Sequence, residues 1–375
     1  MKKDDLILSL EQSVEKVHTQ SLDLSFNELL DMYVDGELDI NPDYQRLFRW
    51  TQGAQSRFIE SLLLEMPVPP IYVVESDEGR YQLIDGLQRF SSYLHLRGQL
   101  SATHLDPEIN VGEFLTLQEC DIVEDLNGLT YEELPTSLKI RLKRAFVRVE
   151  VVRKGSDSKF RYHMFKRLNT GGEELTAQQL RNCTIRMLDS TFIDFVIKKS
   201  RSENFKECIS NISKQQGLGA FDQELVLRYF ALKNYRHKFV HDVADFLTEY
   251  MESVSDPENT DVSFDYANED VVFEKLFLVL KNSLGDKSFG RKGQSGIQSN
   301  FSVYHFEGIC TGLLSKIDCI DPDNAMHMAT LITKLDELKS DPDFVAVTTG
   351  GGKNSPGPLN KRVQLVIDKL ADFPS

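Results

Sequence analysis

Signals for β-structure in this 375-residue chain fade after about residue 185, and that asymmetry constrains the fold more than any other feature. IYVVE at 71–75, YQLI at 81–84 and FVRVEVV at 146–152 are short runs rich in β-branched and aromatic side chains, the first two joined by the turn-rich SDEGR. Beyond about residue 185 the pattern becomes long and amphipathic, as in FDQELVLRYFALKNY and VVFEKLFLVLKNSL. Near the end, Leu359, Val363, Val366 and Leu370 share one helical face at i, i+4, i+7 and i+11. A mixed sheet can therefore form only in the N-terminal half, with a helical body after it. The expected class is α+β, a mixed domain over residues 1–182 followed by an α-helical domain over 183–375.

Helices are predicted between the strands. One spans 24–35 and ends at Gly36. A second spans 53–65, with Phe58, Ile59, Leu62 and Leu63 on one face; it stops at Met66-Pro67, because proline disfavours helix in the residue before it. A third runs from Gln88 to Leu96 and ends near Gly98. Residues 101–144 read as an irregular and helical insertion. Another helix covers 158–168, and one starts at Ala177, where Thr176 and Gln179 form a capping box. Loops are expected at 285–300 and 348–358.

An apolar fraction of 41% supplies a real core, and the length suits about two domains. The formal net charge of −15 makes the surface as a whole repel nucleic acid and anionic membrane. Between Lys139 and Arg201, however, 16 Lys/Arg face 6 Asp/Glu, a local net of +10. Such a basic stretch is compatible with an anion site, and equally with solvated helix faces paired to the acidic remainder. The five cysteines are odd in number and form no C-x-x-C pair, which suits a reducing cytosol and argues against a disulfide framework or zinc ribbon. The opening MKKDDLILSLEQS has no long apolar run, so no signal peptide is expected, and no stretch approaches the ~20 apolar residues of a membrane span. The expectation is a cytoplasmic protein with no membrane partner.

The segment YQLIDGLQRF at 81–90 carries the clearest chemical signal. A strand stops at Asp85-Gly86 and a helix begins at once, which aims free backbone N–H groups and the positive end of a helix at one spot. Arg89, in the first turn, can reach an anion there, and Asp85 can hold a metal or orient water. The bland reading is that Asp-Gly is a common turn, Asp a common N-cap, and Arg89 the partner of a carboxylate. Two further segments have the same look: INPDYQRLFRW at 40–50, with Arg46, and FKRLNTGGEELTAQQLRN at 165–182, with Arg167 before a flexible Asn169-Thr170-Gly171-Gly172 turn.

In order, P-x-Y-Q-R…W, I-E-S-L-L-L-x-x-P-V-P-P-I, I-D-G-L-Q-R, N-G-L-T-Y-E-E-L-P and R-L-N-T-G-G-x-x-L-T-x-x-x-L-R-N resemble the N-terminal domain family of GmrSD-type restriction endonucleases over about residues 24–185. The same motifs are more distantly similar to the ParB and sulfiredoxin pocket. The resemblance implies a ParB/sulfiredoxin-like first domain that binds a nucleoside triphosphate with Mg2+. It assigns catalytic roles to Asp85, Gln88 and Arg89, and nucleotide binding to Tyr44, Gln45, Arg46, Gly86, Arg167, Asn169, Thr170, Gly171 and Gly172. Leu87 departs from the pattern: it cannot serve as the ParB glutamate or the sulfiredoxin cysteine, so sulfiredoxin chemistry is excluded. Gln179 stands where the third ParB box has a glutamate.

Other motifs fail on inspection. The glycine-rich stretches at 285–292 and 350–355 lack the Lys-Ser/Thr of a P-loop, and HKFVH at 237–241 lacks the glutamate of a zinc protease. Residues 186–375 show no His-rich nuclease pattern. The expected function is an NTP-binding and NTP-hydrolysing component of a prokaryotic DNA-restriction or anti-phage defence system, without a fused HNH nuclease. Its expected partners are a nucleotide, DNA and a separate nuclease or defence subunit. The alternatives are a non-catalytic DNA- or protein-interaction module of the same fold, and a ParB-like nuclease.

Overall fold

The computed structural model describes residues 18–40, 48–76, 79–105, 107–154, 156, 164, 167, 176–186, 188–240 and 242–373. The chain divides into two compact units, 1–175 and 176–375. The sequence-based boundary after residue 182 falls inside a helix, Ala177–Ile185, that this partition leaves whole in the second unit.

The first unit is built on a five-stranded mixed sheet of order β1-β5-β3-β4-β2, with β1 Thr19–Ser25, β2 Leu38–Asp39, β3 Ile71–Glu75, β4 Tyr81–Asp85 and β5 Phe146–Val152. β3 runs antiparallel to β4 and parallel to β5, while β1 pairs antiparallel with β5 and β2 parallel with β4. The helices are α1 Phe26–Val34, α2 Gln52–Leu63, α3 Leu87–Leu96 and α4 Thr136–Arg144. Ser25 and Thr51 cap α1 and α2 through their side-chain oxygens. The core gathers Phe26, Ile59, Ile71, Val73, Leu83, Phe90, Tyr93, Val149 and Val151, all buried.

Strands β3 to β5 and helices α2 and α3 lie where the sequence pattern puts them. One departure lies at the first helix. The helix expected from residue 24 begins at Phe26, and the residues before it form β1. β1 exposes Thr19, Gln20, Ser21 and Asp23, so it has little apolar alternation to reveal it. Its identity comes from its neighbour: Asp23 lies opposite Arg148, 3.2 Å away, and Ser21 Oγ donates to Glu150 Oε2 at 2.6 Å. The expected helix over 158–168 falls almost wholly outside the described residues.

Among its described residues the second unit is helical, with one small hairpin. It contains α5 Ala177–Ile185, α6 Thr191–Ser200, α7 Glu203–Cys208, α8 Lys214–Leu218, α9 Phe221–Asn234, α10 Val243–Ser255, α11 Tyr266–Ser283, α12 Val303–Leu313, α13 Ala325–Ser340, α14 Pro342–Thr348 and α15 Pro356–Lys369. The Thr176/Gln179 capping box opens α5 as its sequence predicts. Between α11 and α12, the expected loop holds the β6–β7 hairpin, Lys292–Gly293 with Gly296–Ile297. The core is aromatic: Phe205, Tyr229, Phe273 and Phe277 pack mainly edge to face. α12 and α15 approach closely because Gly312 has no side chain; a Cβ there would lie 2.4 Å from the Cβ of Val366.

A chain of charges runs through this unit. Arg181 pairs with Glu224 at 3.1 Å, Glu224 with Arg228 at 2.8 Å, and Arg228 with Glu307 at 2.5 Å. Glu307 also holds Arg362, whose Nη1 donates to the Lys353 carbonyl at 3.0 Å. Glu307 and Arg362 are 2% and 1% exposed, so each relies on the other for the solvation it has lost.

Candidate functional site

The strand–turn–helix expected at 81–90 is present. β4 ends at Asp85, Gly86 turns the chain with φ +99°, and α3 starts at Leu87. Only glycine suits this turn: a Cβ would meet Ile71 Cγ1 at 2.7 Å, and the backbone lies in the left-handed region. The N-cap of α3 is Gly86, which has no side chain to cap the helix, so the positive end of α3 faces the turn.

Asp85 and Arg89 meet at the mouth of the turn. Arg89 Nη2 donates to Asp85 Oδ2 at 2.8 Å, and the Arg89 and Asp85 side chains are 13% and 29% exposed. The other arm of the guanidinium, Nη1, donates to the Pro69 and Pro70 carbonyls, the latter at 3.1 Å. Prolines have no N–H, so the Met66–Pro70 connection cannot donate from those positions, and Arg89 ties it down through its acceptors instead. Two of the sequence motifs, P-V-P-P-I and I-D-G-L-Q-R, are thus one structural unit joined by Arg89.

Gln88 faces a different segment. Its Oε1 accepts from the backbone amides of Arg49 and Trp50, at 3.0 and 3.1 Å. Trp50 is held a second time, because its carbonyl accepts from Gln55 Nε2 at 2.9 Å, and Gln55 Oε1 lies 2.8 Å from His95 Nδ1. Gln55 and His95 are 1% and 3% exposed. Burial pushes the His95 imidazole down to about 4, so it is neutral and donates from Nδ1 to the amide oxygen. Sequence reasoning missed this pair. The signal was a polar residue at position 55 on the stripe formed by Phe58, Ile59 and Leu62.

Other motif residues fasten the insertion before β5. Buried Glu60 accepts from the amides of Ile122 and Val123, at 3.1 and 2.6 Å. Asn127 bonds both backbone groups of Cys120, and Thr130 with Glu133 forms a capping box. Cys120 is buried, and burial raises its thiol to about 11, so it is an inert packing group. None of the five cysteines is in a disulfide.

Of the remaining candidates, Tyr44, Gln45, Arg46, Asn169, Thr170, Gly171 and Gly172 lie outside the described residues. Arg167 is exposed. The described neighbours Phe48–Trp50 follow the first of these segments directly, and Arg49 and Trp50 are pinned to Gln88. Asp85, Gly86, Gln88 and Arg89 are therefore the part of the candidate site that the structure brings together. Among the described residues no three His, Cys, Asp or Glu side chains gather as they would around a metal ion. None of the described helices is long and apolar enough to cross a membrane.

No curated protein and no solved structure matches the chain. One family model does, that of the GmrSD restriction endonuclease N-terminal domain, over residues 26–186. This span begins at the first residue of α1, takes in β2 to β5 with the Asp85–Arg89 turn, and ends just after α5. Residues 26–186 of the chain belong to the GmrSD restriction endonuclease N-terminal domain family, a family of restriction and defence systems.

Proposed function

We propose that the first unit has a ParB/sulfiredoxin-like fold, binds a nucleoside triphosphate at the Asp85–Arg89 turn and hydrolyses it as part of a restriction or anti-phage defence system. The supporting observation is the junction itself. A strand end, a left-handed glycine and a helix start with no side-chain cap adjoin a carboxylate and a guanidinium. Phosphate suits the positive end of α3. A phosphate arriving there competes with Asp85 for Arg89. Asp85 would be the residue to hold Mg2+, which would supply charge neutralisation for the phosphates. DNA and a separate nuclease or defence subunit are the partners this reading implies.

A second reading, a non-catalytic interaction module, draws on a specific observation. Gly86, Gln88 and Arg89 are already engaged in holding the fold. Gly86 does so through its backbone, Gln88 through the Arg49 and Trp50 amides, and Arg89 through the proline loop. One experiment separates the two: phosphate release from Mg-NTP by the full chain, with and without DNA, for wild type and Asp85→Ala. The first reading expects turnover per folded molecule to fall about 100-fold or more while nucleotide still binds. Normal turnover in Asp85→Ala would remove the catalytic assignment. Failure of the wild type to bind any nucleotide would leave the interaction module.

A further inference from the structure

We infer that a cavity between α4, the start of β5 and the Met66–Val68 loop takes a segment of single-stranded nucleic acid, with a base against Phe146 and phosphates against Arg144 and Arg148. The site is separate from the Asp85–Arg89 turn, none of whose residues lines it. The cavity measures about 830 Å³ and lies wholly within the first unit. That is room for a nucleotide-sized group.

Three large apolar side chains that line it stand in solvent: Phe146, 69% exposed, with Ile140 and Met66. Phe146 opens β5, and the two-residue period of a strand puts Arg148 on the same outward face. Arg144 closes α4 and lines the cavity, and its side chain has no hydrogen bond or ion pair among the described residues. Arg141 and Arg148 hold Glu65 and Asp23, but all four side chains are at least half exposed, so these pairs are weak and exchangeable.

The occupant follows from this chemistry. Arg141, Arg144 and Arg148 line the cavity together with Asp23 and Glu65, a local net of +1 in a chain of net charge −15, and Arg144, which has no carboxylate partner among the described residues, is the group placed to take an anion. An exposed aromatic that shares a cavity with guanidinium groups offers a platform on which a base stacks while its phosphates are neutralised. An apolar peptide would leave Arg144 unanswered. A duplex keeps its bases inside its own stack and cannot lay one on Phe146. The basic stretch from residue 139 thus acquires a specific location, at its first ten residues.

The test is fluorescence polarisation of a labelled dT oligomer of about 15 nucleotides against the full chain, from about 50 to about 200 mM salt. Binding should weaken with salt. Phe146→Ala should weaken it about tenfold or more, and Phe146→Leu, which keeps apolar area without a ring, should do the same. Arg144→Glu should weaken it and lower the salt slope by at least about 1. Lys198→Glu, an equal charge change at an exposed position of the second unit, should leave it unaltered. All these residues are exposed, so melting curves should match wild type. The inference is overturned if dT does not bind, if either Phe146 variant binds like wild type, if Lys198→Glu weakens binding as much as Arg144→Glu, or if a duplex of the same length binds as well. Competition by free dTMP at the same phosphate concentration would also overturn it, in favour of a mononucleotide pocket.

Discussion

Replacing Arg89 by alanine tests how the turn is held together. From sequence, Arg89 is a first-turn arginine whose loss the fold survives. The structure gives it three hydrogen bonds, to Asp85 and to the Pro69 and Pro70 carbonyls, with the side chain 13% exposed. Hydrogen bonds to a charged group contribute about 1.5–3 kcal/mol each when dry. Here water can reach Pro69 and part of Asp85, so the three do not add in full. The expected loss is about 2–3 kcal/mol, which for a unit of this size lowers the melting temperature by about 4–12 °C. Arg89→Lys keeps the charge but not the fork, and should recover less than half of the loss. The assay is thermal and urea unfolding, followed by nucleotide binding on the same sample. A melting temperature for Arg89→Ala within about 1 °C of wild type would refute the argument that Arg89 anchors the proline loop. Nucleotide affinity per folded molecule then reports the separate question of phosphate contact.

Gly86→Ala should cost about 1–3 kcal/mol, from the left-handed backbone and the Ile71 contact, and an unchanged urea midpoint would contradict this. Gln88→Ala removes the acceptor of two backbone amides and should cost about 1–3 kcal/mol, with hydrogen exchange rising at Arg49 and Trp50; unchanged exchange would count against that anchor. In the second unit, Glu307→Gln leaves Arg228 and Arg362 without their buried carboxylate and should cost about 3–5 kcal/mol, seen as an earlier unfolding step assigned by a probe in that unit. Burial lowers His95 to about 4 and His305 to about 3, from an ordinary 6.5. The unfolded chain therefore binds protons that the folded one refuses. The stability is complete above about pH 6.5 and is lost as the pH falls toward 4 and then 3. Urea midpoints at a series of pH values should show this decline, and His305→Gln should flatten it; an unchanged slope would contradict the assignment.

The sequence by itself determined the kind of each strongly patterned element. β3, β4, β5, α2, α3 and α5 were legible because strand alternation, helical stripes, Met66-Pro67 and the Thr176/Gln179 box are properties of neighbouring residues. It also placed Asp85, Gly86 and Arg89 on one strand–turn–helix, and its ordered motifs carried the family that residues 26–186 belong to. Tertiary structure decided whatever depends on a distant partner. β1 and β2 lie at the two edges of the sheet and are specified by the strands beside them, β5 and β4, rather than by their own alternation. The Arg89 contacts cross 19 and 20 residues, Gln55 meets His95 across 40, and Glu307 meets Arg228 across 79. A polar residue in a sequence shows that it needs a partner when buried, and only the packed chain shows which one it finds. For the same reason the cavity beside Phe146 could not be read in advance: its walls come from β1, α2, α4, β5 and the proline loop, brought together by the sheet order alone.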